Sequence, residues 1–122
     1  MENILILAVE DDCKALELLS TNLLLLGYAV LVARTDNEAI VLLKNNPEIK
    51  LMISNVILRR GMPGWELAKL AIKINPDIKI MLTSAYSRGA LAKAGQNAFQ
   101  LNIIEQPYTI KQLEQEIKAL LF

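Results

Sequence analysis

Along the chain, short runs that are apolar at consecutive positions alternate with longer leucine- and alanine-rich stretches bracketed by capping residues. Ile4-Leu5-Ile6-Leu7-Ala8-Val9 is the first such run and breaks off at Glu10-Asp11-Asp12. A strand covered on both faces of a parallel sheet needs apolar side chains on both, so an unbroken run of this kind predicts a strand. Tyr28 to Ala33, Leu51 to Ser54, Ile78 to Thr83 and a shorter run near Leu101 to Ile104 repeat the pattern. Cys13 to Leu26 reads as a helix, capped by Asp12 and stopped by Gly27. Thr35 with Glu38 forms a capping box for a second helix that ends near Asn45-Asn46-Pro47. Gly64 to Asn75 is a third helix, closed by Pro76, and Ser87 to about Gln96 a fourth. Thr109 with Gln112 is a second capping box, opening the fifth helix.

Five strand-then-helix units with short connections predict an α/β fold, a doubly wound parallel sheet with helices on both faces. No linker, repeat or low-complexity segment interrupts residues 1–122, so one domain is expected. In open α/β sheets the residues that do chemistry collect beyond the carboxyl ends of the strands, so the positions just past each strand are the candidates.

Composition narrows the chemistry. The 13 basic and 13 acidic residues cancel, leaving no electrostatic footprint for a nucleic-acid backbone or an anionic membrane. Histidine is absent, which excludes Ser/His and Cys/His nucleophiles, imidazole metal sites and a histidine phosphocarrier. The single cysteine, Cys13, excludes an intramolecular disulfide and comes after three acidic residues that disfavour its thiolate. Short apolar runs and the acidic Glu2 near the start argue against a membrane span or signal peptide, so a cytoplasmic setting is expected.

After the first strand stand Glu10 and Asp11, after the third Asn55, after the fourth Ser84-Ala85, and after the fifth Gln106-Pro107. In this layout the chain resembles the receiver domains of response regulators, the chemotaxis-type two-component family. That family places an acidic pair, a phosphorylated Asp, a Ser or Thr before a small residue, and Lys-Pro at these four strand ends. Gly61-Met62-Pro63-Gly64 is similar to the family's Gly-Met-Asp-Gly turn, and Pro107-Tyr108 to its proline followed by an aromatic residue. The resemblance covers essentially the whole chain. It implies a flavodoxin-like sheet of five strands in the order 2-1-3-4-5 with five helices, a role in phosphorelay signalling, and a cis bond at Gln106-Pro107.

The departures from the family pattern fall where its chemistry resides. In receivers the Asp attacks a phosphodonor while Mg²⁺ and the Lys neutralise charge on the phosphoryl oxygens. Asn55 has no carboxylate, and an amide oxygen is too weak a nucleophile to form a comparable acyl phosphate. Gln106 keeps hydrogen-bonding capacity but loses the ammonium charge. The two losses are compatible, because the family's three carboxylates and lysine carry the same net charge as Glu10 and Asp11 with neutral Asn55 and Gln106. Ile103 stands where many receivers carry the Tyr or Phe that relays phosphorylation. Asn55 is thus a degenerate acceptor position, and Ser84, Ile103 and Gln106 are degenerate switch positions.

Several of these residues also have plain structural readings. Glu10, Asp11 and Asp12 favour a helix N-terminus, yet the resemblance also implies a divalent-cation site from the Glu10 and Asp11 carboxylates, the Asn55 amide oxygen and the Ile57 carbonyl. No cofactor is required, and weak Mg²⁺ binding is left open. Asp12 reads first as a helix cap and second as a surrogate phosphoacceptor. Ser84 is expected to satisfy a loop backbone group, Arg59 and Arg60 to be solvated or to contact an anionic partner, and Trp65 to pack or to make contacts.

The leading expectation is a pseudo-receiver: a non-enzymatic protein-interaction module whose conformation is set by a partner. Sensor kinase, output protein and a second copy are the partner classes, by family analogy through the face of the fourth helix, fifth strand and fifth helix. A working receiver phosphorylated on Asp12 or Asp11 is the alternative. A small nucleotide-binding α/β enzyme is a third reading, disfavoured because acidic residues stand where a glycine-rich phosphate cradle is needed. The sequence stops after Leu120-Leu121-Phe122, where a receiver's last helix ends, which suits both a complete protein and a piece of a larger regulator or hybrid kinase.

Overall fold

The computed structural model describes residues 3–87, 90 and 102–122. Its strands are β1 (Leu5–Val9), β2 (Ala29–Ala33), β3 (Leu51–Asn55), β4 (Lys79–Ser84) and β5 (Asn102–Glu105). All pair in parallel, in the order β2-β1-β3-β4-β5. That is the order implied by the resemblance to receivers. Among the described residues there are four helices: α1 (Cys13–Leu25), α2 (Asp36–Asn45), α3 (Gly64–Ile74) and α4 (Ile110–Leu121). The helix expected over 87–96 lies outside the described residues.

Two apolar layers sandwich the sheet, and alternation along each strand assigns residues to them. Leu7 and Val9 of β1, Met52 of β3 and Leu82 of β4 join Leu43 of α2 and Leu67 of α3 on one face. Ile6 and Ala8, Ile53 and Met81 join Leu19 of α1 and Leu113 and Ile117 of α4 on the other. Full burial of one such side chain contributes about 1.5–3 kcal/mol, so paired burial on both faces fixes strand register tightly.

The predicted caps form. Asp12 Oδ1 accepts from Lys14 N at 2.9 Å and Ala15 N at 3.5 Å. Gly27 sits at φ +96°, and Tyr28 N donates to Leu23 O across it, closing α1 with a left-handed residue that suits glycine. Thr109 and Gln112 bond reciprocally. Thr35 Oγ1 accepts from Glu38 N at 3.1 Å, but the Glu38 carboxylate reaches back to Arg34 N, also at 3.1 Å.

Boundaries shift by a residue or so from the sequence reading. Ile4, Leu26 and Tyr28 lie outside β1, α1 and β2. Thr83 and Ile104 do not end their strands, because Ser84 pairs with Glu105 one step further. The carboxyl ends of β1, β3 and β4 therefore line up at one edge of the sheet, with the Gln106-Pro107 bond cis beside them.

Candidate functional site

Beyond these strand ends lies a cleft of about 260 Å³ whose lining includes Glu10, Asp11, Asn55, Ile57, Tyr86 and Gln106. Parallel pairing of β1 with β3 carries the residues after Val9 alongside Asn55, which is why Glu10 and an amide 45 positions further along the chain meet. Asn55 Nδ2 donates to Glu10 Oε1 at 3.0 Å, and Asn55 Oδ1 accepts from Ile57 N at 3.0 Å. The two bonds together fix which way the amide faces: the backbone N–H requires an acceptor, and the carboxylate requires a donor.

The second oxygen of Glu10, Oε2, accepts from Asp11 N at 3.0 Å. Glu10 is only 5% exposed. Burial raises its carboxyl pKa above the ordinary value of 4.5; the Asn55 hydrogen bond works the other way, and the neighbouring Asp11 charge adds to the rise. Asp11 is directed elsewhere. Its Oδ2 accepts from Arg59 N in the loop after β3, and its carbonyl accepts from Arg34 Nη2 at 3.5 Å.

Gly64 closes the floor of this site. A Cβ there would collide with the Asn55 carbonyl oxygen, and Gly64 N donates to Val56 O at 2.7 Å, so the start of α3 lies directly against the end of β3. Ser54 Oγ donates to that same Asn55 carbonyl at 3.0 Å.

On the other side of the cleft, Ser84 Oγ accepts from Tyr86 N at 2.9 Å, the loop-satisfying role expected of it. Ser84 O accepts from Gln106 N at 2.7 Å, so backbone pairing brings Gln106 to the rim. Ile103 does not line this cleft: it pairs with Leu82 and packs on the α2 and α3 face. Tyr108 packs on the opposite face, and burial, followed by the Glu10 charge, raises its phenol pKa. Trp65 packs against the core under the Lys69 ammonium, 5.0 Å from the ring centre.

Two residues that the sequence reading does not single out prove central to the neighbourhood. Arg34 comes after β2 as Glu10 comes after β1, a positional signal that extending the strand-end survey to the second strand would catch. Asp36 Oδ2 accepts from Met62 N at 3.0 Å and packs against Gly61, which sits at φ +81°. Its position in the first turn of α2, where an acid is expected on helix grounds alone, conceals that role.

Taken by itself, the arrangement is a polar site whose groups satisfy one another. It has no nucleophilic carboxylate at the end of β3, and no group of three or more Cys, Asp or Glu residues poised for a metal occurs among the described residues. No described helix is long and apolar enough to cross a membrane.

Neither a protein-family model nor a curated protein matches the sequence. Solved structures do. A response regulator receiver protein from Sinorhizobium medicae is 26% identical with a TM-score of 0.83, over 98% of this chain and 95% of that one. The receiver domain of the hybrid histidine kinase CckA is 29% identical with a TM-score of 0.80, over 97% of this chain and 99% of that one. A CheY-like receiver domain protein from Methanospirillum hungatei is 26% identical with a TM-score of 0.80, over 97% and 93%. Sheet order, strand-end layout and these likenesses agree that this chain has the receiver-domain fold of two-component response regulators.

Proposed function

We propose that the chain is a single receiver-like signalling domain that takes no phosphoryl group at position 55 and acts by binding protein partners. The observation that carries this reading is the Asn55 amide, bonded to Glu10 through its nitrogen and to Ile57 N through its oxygen where the family's aspartate would stand. An amide lacks the negative charge of a carboxylate, and its oxygen is too weak a nucleophile to attack a phosphodonor. Neutral Gln106 at the rim supports the same reading, since no ammonium is there to meet phosphoryl oxygens.

The surrogate acceptors are less well placed. Asp12 commits Oδ1 to the first amides of α1, and Asp11 commits Oδ2 to Arg59 N. Incubation of the protein with acetyl phosphate and Mg²⁺, followed by intact mass measurement, is expected to show no phosphoryl adduct. A stable gain of one phosphoryl group overturns the proposal in favour of Asp11 or Asp12.

Receivers use Mg²⁺ at this place, and the residues present fit a weak, largely hydrated ion. The Glu10 and Asp11 carboxylates and the Ile57 carbonyl are hard oxygen donors of the right kind. Asn55 would offer its oxygen only by turning over and giving up both bonds it now makes. When bound, the ion would supply positive charge beside the two carboxylates; Glu10 and Asp11 would hold it.

The partner classes that suit this reading are a sensor kinase, an output protein or a second copy of the chain. The receiver domain of a hybrid kinase among the similar structures supports a setting in phosphorelay signalling. A soluble, cytoplasmic module without enzymatic activity completes the proposal.

A further inference from the structure

Beside the acidic crevice, and sharing Asp11 and Arg59 with it, is a second cleft of about 350 Å³ lined by Asp11, Arg34, Thr35, Glu38, Arg59 and Arg60. Its three arginines come from two loops, Arg34 from the end of β2 and Arg59 and Arg60 from the loop after β3. Sheet pairing holds those loops together, because β2 and β3 both flank β1. Among the described residues none of the three is in an ion pair.

Both carboxylates of the cleft already have a backbone donor. Asp11 Oδ2 accepts from Arg59 N, and Glu38 Oε1 accepts from Arg34 N. Each acid thus has one oxygen engaged by backbone, and three arginines against two carboxylates leave the lining with one positive charge in excess. Thr35 also places the amino end of the ten-residue α2, and its partial positive charge, at the same cleft.

We propose that this arginine cleft binds the diphosphate group of a small anion. Guanidinium forks match phosphate oxygens in bidentate fashion, and three of them from two loops exceed what one phosphate engages, so a diphosphate fits better than orthophosphate. None of the six lining residues is aromatic, so recognition falls on the phosphates rather than on a stacked base. The proposal goes beyond the function proposed above and does not depend on cation binding in the acidic crevice.

The test is calorimetry on the full chain at physiological ionic strength in EDTA, with inorganic pyrophosphate, orthophosphate and ADP as ligands. Saturable one-to-one binding of pyrophosphate, at least tenfold tighter than orthophosphate, is expected. Each of Arg34→Gln and Arg60→Gln is expected to weaken it about tenfold, as loss of a charge-assisted bond does. Circular dichroism of both variants should be unchanged, and pyrophosphate should shift amide resonances at positions 34–38 and 58–60. ADP bound as tightly as pyrophosphate supports the diphosphate as the shared chemistry, and ADP bound more tightly supports a nucleotide source. Absence of saturable binding, or binding undiminished in the folded double variant, overturns the proposal.

Discussion

Two neighbouring clefts at one edge of the sheet handle charge in opposite ways. In the acidic crevice the buried polar groups are answered from within: Glu10 by Asn55 and by the Asp11 amide, Asn55 by Ile57, Ser84 by Tyr86. In the arginine cleft the acids are answered by backbone, and the exposed arginines make no ion pair among the described residues, Arg34 reaching only the Asp11 carbonyl. Burial explains the contrast. Glu10 is out of water and needs partners to be tolerated, whereas exposed arginines cost little when unpaired. Interactions in the first cleft therefore bear on stability, and those in the second on what the chain can hold.

Substitutions can break that contrast, beginning with the largest effect. Gly64→Ala drives a methyl into the Asn55 carbonyl under the acidic crevice, and a loss of about 3 kcal/mol is expected in urea denaturation. A loss below about 1 kcal/mol would mean that the α3 start shifts freely and the crevice is less rigid than its bonding implies. Asn55→Ala leaves Glu10 Oε1 and Ile57 N each without a partner, for an expected loss of about 2 kcal/mol in the same measurement.

A smaller effect concerns pH. Because the folded state raises the Glu10 pKa, it holds that proton more tightly than the unfolded chain does. The contribution to stability is fully present below 4.5 and is lost as pH rises through the raised value. In chelator, the wild type should therefore gain stability relative to Glu10→Gln as pH falls from neutral toward about 5; parallel curves would show that the carboxyl is effectively solvated. Smallest of all, Arg34→Gln with Arg60→Gln should leave stability within about 0.5 kcal/mol, measured by the same denaturation. A larger loss would make the arginines structural and erase the distinction between the clefts.

Much of this architecture is legible without coordinates. Unbroken apolar runs announce buried parallel strands, and Asp12, Gly27 and Thr109 announce helix ends because capping is local chemistry written in one or two residues. Strand ends are less exact: nothing in Ser84 or Glu105 says strand, and only their mutual pairing extends β4 and β5. Sequence places Glu10, Asp11, Asn55 and Gln106 at the edge where the structure gathers them. The direction of the Asn55 amide is beyond it, since that depends on an N–H two residues ahead and a carboxylate 45 residues behind. Arg34 and Asp36 escape a sequence reading for a related reason: each serves through space, across loops that sequence keeps apart.

The loop between β3 and α3 is tied down twice, by Arg59 N on Asp11 and by Met62 N on Asp36. Its two anchors lie on different elements, one after β1 and one at the head of α2. A displacement of this loop must release both together, so it behaves as a latch rather than a hinge, and its amides at 59 and 62 should exchange with solvent as one cooperative unit.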